Sequence, residues 1–99
     1  MTTSTHEYEA DPRNADIVIS VNGELVRRDE AVVSVFDSGF VLGDGVWEGL
    51  RLHNGKLAFI DKHMERLWEG AKALDMDIGL ARGELVERLY ETVRANRMT

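Results

Sequence analysis

Two Asn-Gly dipeptides, Asn22-Gly23 and Asn54-Gly55, constrain the fold of this chain most strongly. Asparagine and glycine both tolerate the positive φ angles of a tight type I′ turn, and both dipeptides separate segments with β-type composition. The flanking segments are 17–21, 24–27, 46–53 and 56–59. The sequence therefore predicts two β-hairpins. A further short β segment is predicted at 32–36, where it ends in an Asp-Ser-Gly turn cluster.

Two amphipathic helices are predicted after the second hairpin. Asp61 is expected to cap the first helix through its carboxylate. Apolar residues then follow at three- and four-residue steps: Met64, Leu67, Trp68, Ala71 and Leu74. The second helix is expected from about Arg82, with Leu85, Leu89 and Val93 one turn apart. Hairpins followed by helices predict an α+β fold, in which two helices pack on an antiparallel sheet.

The composition fits one domain and excludes several classes of function. The chain has 99 residues, of which 43% are hydrophobic and 30% charged, which is typical of one globular domain. A net charge of −6 argues against nonspecific binding of nucleic acid, and no apolar run or signal-peptide layout indicates a membrane or secreted protein. With no cysteine, disulfides and thiol nucleophiles are excluded, and a cytoplasmic location is expected. The polar segment 1–16 is expected to be a flexible N-terminal arm, which leaves 17–99 as the domain.

Residues with chemical potential lie in one glycine-rich segment and on the first predicted helix. Three glycines in 43–51, GDGVWEGLR, allow close approach of backbone to a ligand, although a loop leading into a strand also fits this composition. Arg66 is either an anion clamp, because a guanidinium binds phosphate or carboxylate in a bidentate manner, or an exposed helix residue. His63 is either a base or a structurally bonded residue near the helix N-terminus. The three histidines have no metal-ligand spacing, so no metal site is expected.

Four further side chains are candidates for a functional site. Arg51 is either an exposed strand residue or a ligand for a substrate carboxylate, and Trp47 belongs either to the core or to a pocket wall. Asp44 and Glu48 are a candidate carboxylate pair, although nothing in the sequence places them face to face.

The order of these motifs strongly resembles the N-terminal domain of the class IV aminotransferases, the fold-type IV pyridoxal phosphate enzymes. The similarity covers residues 17–98. The motifs that carry it are FDSGF at 36–40, GDGVWEGLR at 43–51, the Asn54-Gly55 hairpin and DKHMERL at 61–67. The family includes branched-chain and D-amino-acid aminotransferases, (R)-selective amine transaminases and aminodeoxychorismate lyases.

The resemblance implies roles for five residues. Arg66, in His-x-x-Arg-Leu, matches the residue that binds the phosphate of the cofactor, pyridoxal 5′-phosphate. Trp47 takes the position of an aromatic residue in the substrate pocket, and Leu42 stands where branched-chain enzymes often have a tyrosine. Gly49 and Arg51 match the Glu-Gly-x-Arg form of branched-chain-like members. Leu42, Trp47, Gly49 and Arg51 are therefore implied to bind substrate.

The resemblance also implies that the lysine forming the Schiff base with the cofactor lies in a second, C-terminal domain. Lys56, Lys62 and Lys72 do not match that position, so no catalytic residue is expected here. The chain is expected to be the N-terminal part of a homodimeric enzyme that transfers an amino group from an amino acid or amine to a 2-oxo acid. The alternatives are an aminodeoxychorismate-lyase-like enzyme and a catalytically silent fragment that self-associates.

Overall fold

The computed structural model describes residues 11–99, which form a small α+β fold, as predicted. The first ten residues of the predicted arm at 1–16 lie outside the described residues, and a 3₁₀ turn occupies Pro12–Asn14. The strands are β1 (Val18–Val21), β2 (Glu24–Arg27), β3 (Leu52–His53) and β4 (Lys56–Leu57). The helices are α1 (Ser38–Val41), α2 (Ile60–Ala73) and α3 (Arg82–Ala95), and a second 3₁₀ turn occupies Arg28–Glu30.

Both predicted hairpins are confirmed. Asn22 and Gly23 have φ angles of 53° and 83°, and Asn54 and Gly55 have φ angles of 50° and 76°. Positive φ at both central residues is the requirement of a type I′ turn. The strands pair antiparallel, β1 with β2 and β3 with β4, and within residues 11–99 the two hairpins remain separate two-stranded sheets. The antiparallel part of the fold is therefore divided in two.

Two predicted β segments are shortened or absent. The segment 32–36 was predicted to be a strand but is irregular, and its four large apolar residues are 64–88% exposed: Val32, Val33, Val35 and Phe36. Of the segment 46–53, only Leu52–His53 pairs with a neighbouring strand. β-branched composition favours a strand only where a partner strand satisfies its backbone hydrogen bonds, and no described strand lies beside 32–36.

Both predicted helices are present, but the first begins at Ile60, two residues earlier than a helix capped by Asp61 would begin. The residue preceding α2 is Phe59, which has a φ of 55° and makes no side-chain capping bond, so the prediction that Asp61 caps the helix is wrong. Asp61 lies instead in the first turn, where its negative charge interacts favourably with the helix dipole. Met64 and Ala71 of the predicted apolar face are buried. Helix α3 begins at Arg82, as predicted.

Helix α3 connects the two hairpins through side-chain hydrogen bonds. The Asn96 amide, directly after α3, pairs with the edge of β1: Val18 N donates to Asn96 Oδ1 at 2.7 Å, and Asn96 Nδ2 donates to Val18 O at 2.9 Å. The Tyr90 hydroxyl accepts a bond from Leu57 N of β4 at 3.1 Å. The buried apolar core of the described chain is small, comprising Leu57, Met64 and Ala71, and these hydrogen bonds join α3 to both hairpins in addition to it.

No helix within residues 11–99 is both long enough and apolar enough to span a membrane.

Candidate functional site

The segment 46–52, which leads into β3, lies along α2 and turns one of its two faces toward that helix. Burial alternates along 46–52, as in an extended strand. The half-buried side chains are Val46, Glu48, Leu50 and Leu52, and the exposed positions are Trp47, Gly49 and Arg51. At Gly70 of α2 an added Cβ would lie 3.0 Å from Cγ1 of Val46, so the Val46 side chain packs closely against the backbone of α2 there. The segment thus presents two different faces, one to α2 and one to solvent.

Glu48 is the residue through which this segment reaches the polar face of α2. Its Oε1 lies 2.6 Å from Nδ1 of His63 and accepts a bond from Nη2 of Arg66 at 2.8 Å. Its Oε2 accepts from Nε of Arg66 at 3.0 Å. His63 and Arg66 are three residues apart, a spacing that places them on one face of a helix. One carboxylate therefore joins the two polar residues of the His-x-x-Arg-Leu motif.

The electrostatics of this cluster fix the charge of Glu48. Hydrogen bonds from Arg66, and then from His63, lower the pKa of the Glu48 carboxyl, while its removal from water has the smaller, opposite effect. The Glu48 hydrogen bonds in turn raise the pKa of Arg66. Only 10% of the Glu48 side chain is exposed, against 69% of the Arg66 side chain. The acid is therefore an ionised acceptor held inside the cluster, whereas the guanidinium reaches outward.

An open depression of about 420 Å³ lies beside the cluster on the same helix. It is lined by Phe59, Lys62, His63, Glu65, Arg66 and Glu69. Glu48 takes the Nε and Nη2 side of the guanidinium, which we call the side-on edge. The opposite pair, Nη1 and Nη2, is the end-on edge, and across residues 11–99 no acceptor is bonded to Nη1. This arrangement suits the bidentate recognition of an anion such as a phosphate.

The structure brings some of the predicted residues together and separates others. Arg66 and His63 share the depression, but Leu42, Trp47, Gly49 and Arg51 do not line it. Trp47 is 85% exposed, so its interpretation as a core residue is wrong. Leu42 follows α1 and is 71% exposed. The roles of these four residues in substrate binding stay predictions.

Sequence reasoning missed the function of Glu48 as the partner of His63 and Arg66. Its proposed pairing with Asp44 is not formed, since its carboxylate bonds two nitrogen-bearing side chains instead. Two signals were available: the period-two pattern of 46–52 placed Glu48 on the same face as Val46, and the three-residue spacing of His63 and Arg66 placed both on one face of α2. Their alignment depends on how the segment docks, which no local pattern encodes.

The part of the chain that the structure describes contains no cluster of three or more histidine, cysteine or acidic residues that could hold a metal ion.

Comparison with known proteins identifies aminotransferases as relatives. The chain is 44% identical over 87 residues to branched-chain-amino-acid aminotransferase-like protein 1 of Arabidopsis thaliana, which is 88% of this chain and 16% of that protein. It is 41% identical over 80 residues to a putative branched-chain-amino-acid aminotransferase of Methanocaldococcus jannaschii, and 35% identical over 80 residues to a D-alanine aminotransferase of Staphylococcus haemolyticus. Those two alignments cover 81% of this chain and 28% of each relative, so the chain spans between about a sixth and somewhat over a quarter of its relatives' length. No model of a protein family matches the chain.

Proposed function

This chain is related to the class IV aminotransferases, and we propose on that premise that it forms the small-domain part of a pyridoxal phosphate-dependent aminotransferase. The complete protein would transfer an amino group from an amino acid or amine to a 2-oxo acid. The observation that carries the proposal is the guanidinium of Arg66, whose side-on edge is bonded to Glu48 and whose Nη1 has no acceptor within residues 11–99.

The residues around Arg66 fit the phosphate of pyridoxal 5′-phosphate. Two N–H groups on the end-on edge of Arg66 match two phosphate oxygens, and Lys62 adds a cation to the same depression. Glu65 and Glu69 also line the depression, and their negative charges offset the positive charge there. An anion would therefore be bound by the hydrogen bonds of Arg66 and not by a general excess of positive charge. The bound cofactor supplies the electron sink that amino-group transfer requires. The task of Arg66 is to hold its phosphate in one orientation.

The exposed face of 46–52 supports the proposed role in substrate binding. Trp47 and Leu42 offer apolar surface for a side chain, and Arg51 offers a guanidinium for a carboxylate. A Cβ added at Gly49 would lie 3.8 Å from Cζ3 of Trp47, so glycine leaves space beside the indole ring. We propose that these four residues form one wall of a substrate pocket in the complete protein.

Exposed apolar side chains support the proposal of a homodimer. Most of them fall between residues 32 and 47, and each of these is 58% exposed or more: Val32, Val33, Val35, Phe36, Phe40, Val41, Leu42 and Trp47. Phe59 is also exposed. A soluble monomer rarely exposes so many large apolar residues from one segment, and such surfaces mark interaction sites. In the complete protein, we expect this segment to be covered at a domain or subunit interface.

The proposed cofactor site is tested in the complete protein by comparing Arg66→Ala with Arg94→Ala. Arg94 is a matched control, because it is a 62% exposed helical arginine paired with a glutamate, Glu87, as Arg66 is with Glu48. Loss of charged hydrogen bonds worth about 1.5–3 kcal/mol predicts affinity for pyridoxal 5′-phosphate that is about 10- to 150-fold weaker in Arg66→Ala. Arg94→Ala should bind as the wild type does, and pyridoxal, which lacks the phosphate, should bind equally to all three. Unchanged affinity in Arg66→Ala would contradict the assignment.

The reaction is tested with branched-chain L-amino acids and D-alanine as amino donors and a 2-oxo acid as acceptor. Formation of the 2-oxo acid that corresponds to the donor supports an aminotransferase, and the donor that reacts identifies the stereochemistry of its substrate as L or D. Release of pyruvate from aminodeoxychorismate, without transamination, would place the protein in the lyase branch instead.

A further inference from the structure

We propose that Glu48 is a positioning residue, which holds Arg66 by its side-on edge and His63 by Nδ1 so that an anion binds Arg66 at its end-on edge. The proposal rests on the proposed cofactor site only for the identity of that anion, a phosphate monoester. The geometry that carries it is one carboxylate bonded to both side chains, at 2.6–3.1 Å.

The directions of the guanidinium donors explain why one edge is reserved. A guanidinium has five N–H groups in a rigid plane, and it can present two edges to two different acceptors. Glu48 accepts from Nε and from one N–H of Nη2, and these donors lie on the same edge. The second N–H of Nη2 and the two of Nη1 are left for a ligand. A phosphate therefore has an edge available without displacing Glu48.

Burial makes Glu48 suited to this role. Its side chain is 10% exposed and is carried by a segment that packs on α2 through Val46 and Gly70, whereas Arg66 is mostly exposed. Ordering a long side chain on binding costs about 0.5–1.5 kcal/mol, which corresponds to about two- to tenfold in affinity. A guanidinium already held by Glu48 avoids most of that cost when the anion arrives.

Glu48 also sets the proton position on His63. An ionised carboxylate only accepts hydrogen bonds, so a bond of 2.6 Å between Glu48 Oε1 and Nδ1 requires a proton on Nδ1. When the imidazole is neutral, Nε2 is then its acceptor nitrogen. A carboxylate that contributed only to stability, without bonding Nδ1 of His63, would not fix this tautomer.

Affinity of a single variant does not isolate the positioning effect, because Glu48→Gln also removes a negative charge close to the anion. That removal alone would strengthen phosphate binding. Glu65→Gln is the matched control, since it removes the same charge from the depression and Glu65 makes no bond to Arg66 in residues 11–99. The difference between the two variants measures positioning.

The experiment is nitrogen-detected and proton-detected NMR on the complete protein, labelled with ¹⁵N at arginine and histidine. In the free wild type and in Glu65→Gln, we expect a slowly exchanging Nε–H of Arg66 and a protonated Nδ1 of His63. In Glu48→Gln, we expect the protection and the single tautomer to be lost. If both features survive in Glu48→Gln, the proposal is overturned. It is also overturned if both are absent from the wild type, and this second test does not depend on the folding of any variant.

Titration with inorganic phosphate and with pyridoxal 5′-phosphate completes the test. The Nη signals of Arg66 should shift while Nε–H stays protected, and Glu48→Gln should bind about two- to tenfold more weakly than Glu65→Gln. Loss of Nε protection on binding, or equal affinity of the two variants, would overturn the positioning role. If neither ligand changes any Arg66 signal in the complete wild-type protein, the proposed cofactor site is contradicted. The spectra recorded without ligand still decide whether Glu48 orients the two side chains.

Discussion

Replacing Asn96 with alanine should destabilise the fold, because the Asn96 side-chain amide joins the end of α3 to β1. The Asn96 side chain makes three hydrogen bonds, two with Val18 of β1 and one, from Nδ2 to Thr92 O, at 2.8 Å. At about 1 kcal/mol for each bond, and with water replacing part of this loss at a half-buried site, we expect a loss of about 2 kcal/mol. In a chain of this size, that loss lowers Tm by about 8–16 °C.

Thermal and urea unfolding, followed by circular dichroism, measure the effect, and Asn14→Ala is the control. The Asn14 side chain is exposed and makes no hydrogen bond with the described residues, so its replacement should change the free energy of unfolding by less than about 0.5 kcal/mol. Hydrogen exchange at the Val18 amide gives a local measurement and should accelerate in Asn96→Ala. A free energy of unfolding within about 0.5 kcal/mol of the wild type, with Val18 exchange unchanged, would refute the reasoning.

Two further predictions concern the turns and the acid range. Gly23 and Gly55 both have positive φ, so Gly→Ala at either should lower the free energy of unfolding by about 1–2 kcal/mol. An added Cβ at Gly23 meets only the flexible end of the Arg88 side chain, and one at Gly55 meets nothing, so urea unfolding should give similar losses for the two variants. A clearly larger loss for Gly23→Ala would show that Arg88 cannot move away. Because the pKa of Glu48 is lowered from 4.5, the Glu48 carboxylate contributes fully to stability above that pH, and its contribution declines as the pH falls through the lowered value. The difference in free energy of unfolding between wild type and Glu48→Gln should therefore shrink below about pH 4.5. A difference that stays constant in acid would contradict this account.

The cluster of Glu48, His63 and Arg66 changes how the anion-clamp hypothesis is understood. From sequence, Arg66 was either a clamp or an exposed helix residue, and in the structure it is both mostly exposed and bonded to a carboxylate. The carboxylate does not cancel the capacity of Arg66 for an anion, since it occupies one edge of the guanidinium only. An arginine can therefore carry an ion pair and a binding function together, because its donors point in more than one direction.

The motifs of the chain were sufficient to recognise its family, and the relatives confirm that recognition. They also located Arg66 and His63 on one helix face, because residues three apart are neighbours on any helix. They did not reveal Glu48 as the third member. Its 15- and 18-residue separations from His63 and Arg66 are bridged by a turn and by the docking of 46–52, so the contact is made by packing.

The chain's local chemistry was enough to specify the hairpin turns and the start of α3. Asn-Gly turns and helical periodicity depend on backbone preferences within a few residues, and those preferences are the same wherever the segment lies. The fate of 32–36 and the pairing of Asn96 with Val18 could not be obtained in this way. A strand forms only beside a partner, and the Asn96 bonds join residues 78 positions apart. Both outcomes depend on which distant surfaces meet, and that information exists only once the whole chain has packed.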